Sequence, residues 1–264
     1  MRAFLARVFL YGLIVSVSLF IILPLILTVI GSFSVYWGSS SFTAGWTLDW
    51  YRQALRDYGH TFAYTFLITV STVLINSVLG TAAAYALAGN RSLWLNWLEE
   101  ILTLPVAVPG IAIALALIQT HAFLRVSGLL ILAGHVLVTF PLMFRTVVGA
   151  LRSGSFQTLQ ESAACLGAGP FQTFFYVILP AIKSSVFSGA IVVFLLSMGE
   201  FNITFFLYTP LTMTMPVGMY DAYATLRIEA GSAYTVIFLV LAIPFMYILH
   251  RLNQSGALTR SGGV

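Results

Sequence analysis

Glu161-Ser162-Ala163-Ala164-Cys165-Leu166-Gly167, followed by Val177-Ile178-Leu179-Pro180, is the stretch around which the chain is arranged. It reads as a short helix between two strongly hydrophobic segments. Thr158-Leu159-Gln160-Glu161 has the form of a capping box, in which Thr158 accepts a hydrogen bond from the Glu161 backbone N–H and Glu161 reaches back. Leu159, Ala163 and Leu166 then share one face at helical spacing. Gly167 suits the left-handed position that closes such a helix, and Pro170 blocks its continuation. About two turns of helix with a narrow apolar face do not hold together alone in water. The pattern therefore predicts a partner that grips it.

Composition fixes what surrounds this helix. The chain of 264 residues is 59% hydrophobic and only 8% charged, with mean hydropathy +0.97. A soluble globular protein carries about a quarter charged residues, so this composition implies an all-α polytopic membrane protein. The single cysteine, Cys165, has no partner for an internal disulfide, and its place in a polar loop points to the reducing side. The formal charge of +4 comes mostly from arginine, Lys183 being the only lysine. In a membrane protein such an excess is a topology signal rather than a nucleic-acid patch, and no nucleic-acid partner is expected.

A spanning helix needs roughly 20 mostly apolar residues. Six stretches qualify, 9–33, 61–88, 99–120, 128–149, 182–206 and 231–250, within one membrane domain covering 1–264. The first follows Arg2 and Arg7, is too long for a signal-peptide core, and is read as an anchor. With the N-terminus inside, the inner segments hold Arg2, Arg7, Arg91, Arg145, Arg152, Lys183, Arg251 and Arg260, and the outer ones Arg52, Arg56, Arg125 and Arg227. That bias predicts both termini inside and places the 150–181 loop in the cytoplasm. The segment 34–60 is expected outside, with Trp46, Trp50 and Tyr51 as interface anchors. The stretch 207–230 is expected to be an external loop with a short surface helix, and the tail 252–264 disordered.

Two spans carry unusual residues. The third contains Leu104-Pro105-Val106-Ala107-Val108-Pro109-Gly110. Its prolines remove backbone hydrogen bonds and permit a kink, so Pro105, Pro109 and Gly110 are hinge candidates, against the plainer reading of a static bend. Glu99 and Glu100 are read as structural residues in the first turn of that helix, matched to its dipole. In the fifth span Glu200 is the one acid inside a hydrophobic run. An ionised carboxylate at membrane depth costs several kcal/mol unless it is paired or faces water. Glu200, with Ser197 and Thr204 at helical spacing, is therefore a candidate for the solute path, against the alternative of a structural ion pair.

Some chemistry has no signature here. There is no nucleotide-binding Gly-Lys-[Ser/Thr] loop. His60, His121, His135 and His250 are scattered, with no metal-ligand spacing. His135 is read as a packed, hydrogen-bonded histidine. No catalytic site, metal or bound cofactor is expected. A six-helix membrane enzyme or sensor is the rival class, and it would need polar residues gathered from several spans.

The spacing of Glu161, Ala163, Gly167, Leu179 and Pro180 resembles the E-A-A-x3-G-x9-I-x-L-P loop of binding-protein-dependent ABC importer permeases. Ser162 and Val177 depart from that pattern by small changes. With six spans, the loop between the fourth and fifth, and a similar length, the resemblance to type I importer permeases covers nearly the whole chain. It implies that Thr158, Leu159, Glu161, Ala163, Leu166, Gly167 and Pro180 couple the chain to an ATPase. It also implies a second permease, identical or homologous, two cytoplasmic ATPase subunits that hold ATP and Mg, and an external solute-binding protein. The expected place is a bacterial inner membrane, in contact with lipid. Trp50-Tyr51 and the overall length look most like the second permease of spermidine/putrescine systems, where an acid in the fifth span suits a cation. Gly199-Glu200-Phe201 also resembles sulfate, molybdate and phosphonate permeases. Polyamine-like cargo is the first expectation, an oxyanion, phosphonate or other small solute the alternative.

Overall fold

The computed structural model describes residues 2–38, 45–89, 93–153, 156–225 and 227–261. Their helices are α1 (Arg2–Phe33), α2 (Asp49–Ala88), α3 (Leu93–Thr103), α4 (Gly110–His121), α5 (Leu129–Ser153), α6 (Phe156–Cys165) and α7 (Pro170–Gln172). A π-helix over Thr173–Ile178 then leads into α8 (Leu179–Met198), and α9 (Thr204–Leu207), α10 (Met215–Ala224) and α11 (Ile228–Ser261) complete the chain. Among the described residues the only β pairing is an antiparallel bridge between Ser34 and Trp46.

Among the described residues five helices are long and apolar enough to cross a membrane, and a bent pair, Trp97–Val106 with Gly110–Leu124, makes a sixth if it is counted as one span. That pair corrects the expected third span. It is not kinked but broken, with a bend of 100°. Leu104–Val106 tightens to a 3-10 turn, Pro109 caps α4 with extended ψ, and neither proline has an N–H to carry the α ladder across. Glu99 and Glu100 consequently lie inside α3 rather than in its first turn.

The second span begins well before residue 61. Asp49 opens α2, where its carboxylate pairs with Arg52 and its backbone N–H is held by the Thr47 hydroxyl, so 49–60, part of the stretch expected outside, is helix continuous with that span. The tail expected to be disordered continues α11 through Ser261, because extending an existing helix fixes only one residue per added hydrogen bond. Residues 262–264 lie outside the described set. Within 207–230 the helix α10 buries one side, through Met215, Val217 and Ala222, and exposes Tyr220, Tyr223 and Ala224.

The chain forms two compact units. One comprises Met1–Gly59 and Gly218–Ile243. In it α1 is apolar all round and exposed at every residue from Phe9 through Leu27, which requires lipid or protein around it. Its far end is tied down. Ser32 Oγ lies 2.6 Å from the Tyr51 hydroxyl, the Trp50 indole N–H donates to the Ser34 carbonyl at 2.9 Å, and the Trp37 N–H donates to Glu229 at 2.7 Å. Trp50 and Tyr51 thus brace this end, while Trp46 is exposed. The Tyr58 hydroxyl donates to Asp221 at 2.7 Å and receives Arg227 at 2.5 Å.

The second unit comprises His60–Val217 and Pro244–Val264. Its core is the packing of α5 on α8, with Met143, Phe144, Val147, Ile178, Ile182 and Val193 buried. Glycines let the backbones close in on Met143. A Cβ at Gly189 would stand 2.5 Å from Met143 Sδ, and one at Gly80 would stand 2.8 Å from its Cγ. Small residues at helix contacts are the main way membrane helices gain packing. Gly189→Val is therefore expected to cost about 1–3 kcal/mol by overpacking, read as a lowered unfolding midpoint in detergent. An unchanged midpoint would mean that Met143 gives way freely. Asn76 adds a buried polar tie, donating to Thr139 Oγ1 at 2.7 Å.

Candidate functional site

Two places carry the candidate residues. The first is α6 and its exit. The helix starts at Phe156, so Thr158 is an exposed residue inside it and not its cap; the expected capping box is not formed. The chain just before it, at 154–155, lies outside the described residues. Helix formation starts earlier because Phe156 and Leu159 pack on the α5–α8 core and draw the first turn in with them. The exit is as the glycine requires. Gly167 has φ +81°, its N–H donates to the Ala164 carbonyl at 2.9 Å, and the Ala168 N–H donates to the Ala163 carbonyl at 3.0 Å. This pair of bonds is a Schellman closure.

The closure separates residues expected on one face. Ala163 is buried and Leu159 half-buried against the chain's own core, whereas Leu166, past the end of the helix, is 89% exposed. Glu161 and Cys165 are exposed as well. One side of α6 is thus fastened down, and Glu161, Cys165 and Leu166 form its free rim. Pro170 opens α7, where the Gly169 N–H is held by the Gln172 side chain at 3.0 Å. The π-helix follows, with the Leu179 N–H donating to the Phe174 carbonyl. Pro180, exposed in the first turn of α8, offers no N–H to the preceding turn and would crowd an α-spaced carbonyl, and the wider π turn relieves this. Near this element Arg152 grips Glu99 through two hydrogen bonds, at 2.7 and 3.1 Å, tying the end of α5 to α3.

The second place is the break after α8. The fifth span does not run unbroken to 206: α8 ends at Met198, and α9 restarts at Thr204. Glu200 therefore sits in a turn and not in the middle of a helix. Its Oε1 accepts the Ile203 N–H at 2.7 Å, and its Oε2 accepts the Thr204 N–H at 3.0 Å and the Thr204 hydroxyl at 2.7 Å. The carboxylate caps a helix start, where its charge matches the dipole. At the other end of α9, Arg125 donates to the carbonyls of Phe206 and Leu207. Of the two expected neighbours only Thr204 bonds the Glu200 carboxylate, while the Ser197 carbonyl accepts the Glu200 backbone N–H at 3.3 Å.

Ser197 turns instead to His135, whose Nδ1 lies 2.8 Å from Ser197 Oγ and whose Nε2 lies 2.9 Å from Thr204 Oγ1 and 3.5 Å from Glu200 Oε2. His135 is 1% exposed and the Glu200 side chain 10%. His135 is thus the packed, hydrogen-bonded histidine that the sequence suggests, and its partners come from elements distant in the chain. The hinge candidates meet this same place: a Cβ at Gly110 would stand 3.1 Å from Asn202 Cβ and from Ile203 Cγ1. Pro105 is half-buried and Pro109 exposed beside it. No group of three or more metal-ligating side chains comes together among the described residues.

The chain is similar to known proteins over nearly its whole length. It is 27% identical over 254 residues to PhnV of Salmonella typhimurium, named as a 2-aminoethylphosphonate transport system permease protein, covering 92% of this chain and 94% of that one. It is 29% identical over 217 residues to the putrescine transport system permease protein PotI of Escherichia coli, covering 77% and 75% of the two chains. Among solved structures, a chain of a bacterial alginate ABC transporter in complex with an alginate-bound periplasmic protein superposes with TM-score 0.75 at 15% identity, covering 96% and 95%. A chain of the MetNI methionine ABC transporter gives 0.60 at 15% identity, covering 77% and 95%. These likenesses establish the fold of a type I ABC importer permease. The family model of the binding-protein-dependent transport system inner membrane component matches residues 76–255, and the chain belongs to that family, the permease components of ABC importers.

Proposed function

We propose that this chain is one half of the translocation path of an ATP-driven importer, seated in a bacterial cytoplasmic membrane with both termini inside. The observation that carries the reading is α6: a helix fastened on one side to the α5–α8 core, closed by Gly167, and presenting Glu161 and Leu166 on its free rim. A rim backed by a rigid core transmits force, whereas a loose loop absorbs it. In this reading the rim sits in an ATPase subunit, and closure of two such subunits on ATP draws the 158–170 elements together. A second permease, identical or homologous, supplies the other half of the path, and an external binding protein delivers the solute. The break at Pro105–Gly110 is where the third span yields as the path turns outward. Nucleotide and Mg belong to the ATPase subunits.

The cargo we infer is a small anionic or zwitterionic solute of the phosphonate or oxyanion type. The polyamine expectation leaned on the chain's length, the Trp50-Tyr51 region and an open carboxylate at Glu200, and that carboxylate is engaged by Ile203 and Thr204. Likeness to a putrescine permease keeps a polyamine as the second reading. Both are tested by purifying the chain from its host and screening the co-purifying binding protein for thermal stabilisation by 2-aminoethylphosphonate, sulfate, putrescine and spermidine. Stabilisation by a phosphonate or oxyanion alone is the expected result. Stabilisation by a polyamine alone reverses the order of the two readings, and a preparation without any ATPase subunit overturns the importer assignment for this chain.

A further inference from the structure

We propose that His135 is a positioning residue that holds together the two lips of the break between α8 and α9, and so fixes the mouth at which that break meets the break before α4. The inference rests on reading this chain as half of a solute path. The direction of each hydrogen bond follows from simple counting. The Thr204 hydroxyl has one proton, and it goes to Glu200 Oε2. Thr204 Oγ1 therefore faces His135 as an acceptor, and Nε2 must carry the ring hydrogen. In the neutral ring Nδ1 is then an acceptor, which the Ser197 hydroxyl fills at 2.8 Å. Thr69 Oγ1, from α2, is the competing acceptor for the one Ser197 proton at 3.5 Å, and the 2.8 Å contact to Nδ1 takes it.

Ser197 lies in the last turn of α8 and Thr204 is the first residue of α9, so one imidazole on α5 bridges both sides of the gap. His135, Ser197, Thr204 and Thr69 are all buried, and a buried donor left without its acceptor loses solvation that nothing replaces. No apolar side chain of similar size can make this bridge. What it positions is next door. Asn202 is exposed at the tip of the break, and the start of α4 leans against it through Gly110. Backbone that leaves a helix at membrane depth persists only where it is buried in protein or faces a water-filled cavity. Asn202, rather than Glu200, is thus the polar side chain offered at the mouth, and its place depends on the ring.

The test uses the full chain with Cys165→Ser and Asn202→Cys, in host membranes with its partner subunits, reading the rate at which N-ethylmaleimide labels the single thiol. His135→Leu is expected to change that rate by about fivefold or more per inserted molecule, the scale of one lost buried hydrogen bond. His135→Gln, which still donates to Thr204, should bring the rate back to within about twofold of the parent on the same scale. A histidine that only fills space would lower the amount of inserted protein without moving the rate per molecule. If His135→Leu does not insert, Ser197→Ala, which removes the donor to Nδ1, carries the test. An unchanged rate in a complex that still holds its ATPase subunit overturns the positioning role and leaves the pore reading standing. Failure of the parent chain to co-purify with an ATPase overturns that reading instead.

Discussion

Gly167→Val is expected to lower solute uptake about fivefold to a hundredfold while leaving membrane insertion intact, a strain of roughly 1–3 kcal/mol disfavouring the native turn by that factor. Gly167 has φ +81°, and a Cβ added there would meet nothing within 4 Å. The penalty is therefore purely one of backbone conformation: a β-branched residue in the left-handed region crowds its own carbonyl. Relief comes by unwinding the turn, which breaks the bonds to Ala163 and Ala164 and re-aims exposed Leu166. The hydrophobic spans are untouched, so the protein should reach the membrane in normal amount. Gly167→Asn, which tolerates the left-handed region, should retain most of the uptake. Uptake by whole cells, normalised to the chain detected in the membrane fraction, decides the matter. Normal uptake by the valine variant would remove the coupling role assigned to α6.

Glu200→Ala is expected to destabilise the folded chain by about 1–3 kcal/mol, lowering the unfolding midpoint in detergent by about 2–10 °C for a chain of this size. The carboxylate accepts three hydrogen bonds from Ile203 and Thr204, and its removal leaves two backbone donors at the start of α9 without their cap. Glu200→Gln keeps one acceptor oxygen and should fall between the parent and the alanine variant. The contrast with a solute-binding role is direct. A contact residue would cost uptake without costing stability, so a Glu200→Ala chain with an unchanged midpoint and no uptake would return Glu200 to the solute path and restore the polyamine reading.

The membrane character of the chain, the family likeness and the left-handed glycine are legible from local chemistry. Hydropathy alone finds the apolar runs, and a glycine between an apolar helix and a proline has few other uses. The breaks are less legible. A hydropathy window counts apolar residues and is blind to whether the helix through them is continuous, so Phe201 and Ile203 extended the fifth span past its end at Met198. The same blindness turned Glu200 into a bare mid-span acid, when its partners are the amide groups a few residues ahead. His135 is legible as a packed, hydrogen-bonded histidine, but its partners are not. Its partners sit on α8 and α9, and only the packing of α5 on those elements brings them within 3 Å. Leu159, Ala163 and Leu166 share a face by helical period, but the period ends with the helix at Cys165.

The 40 residues of α2 have a consequence for the lipid in which this protein works. At 1.5 Å per residue the helix is about 60 Å long, roughly twice the 30 Å hydrocarbon thickness of a bilayer. Even without its charged opening turns, the apolar run is about 40 Å long and must lean, protrude or thicken the lipid around it. Bilayer thickness thereby becomes a variable that this helix senses. A thicker membrane favours an upright rod and a thinner one a tilted rod. Any step of the transport cycle that changes the tilt of α2 will run at a rate set in part by the acyl-chain length of its host.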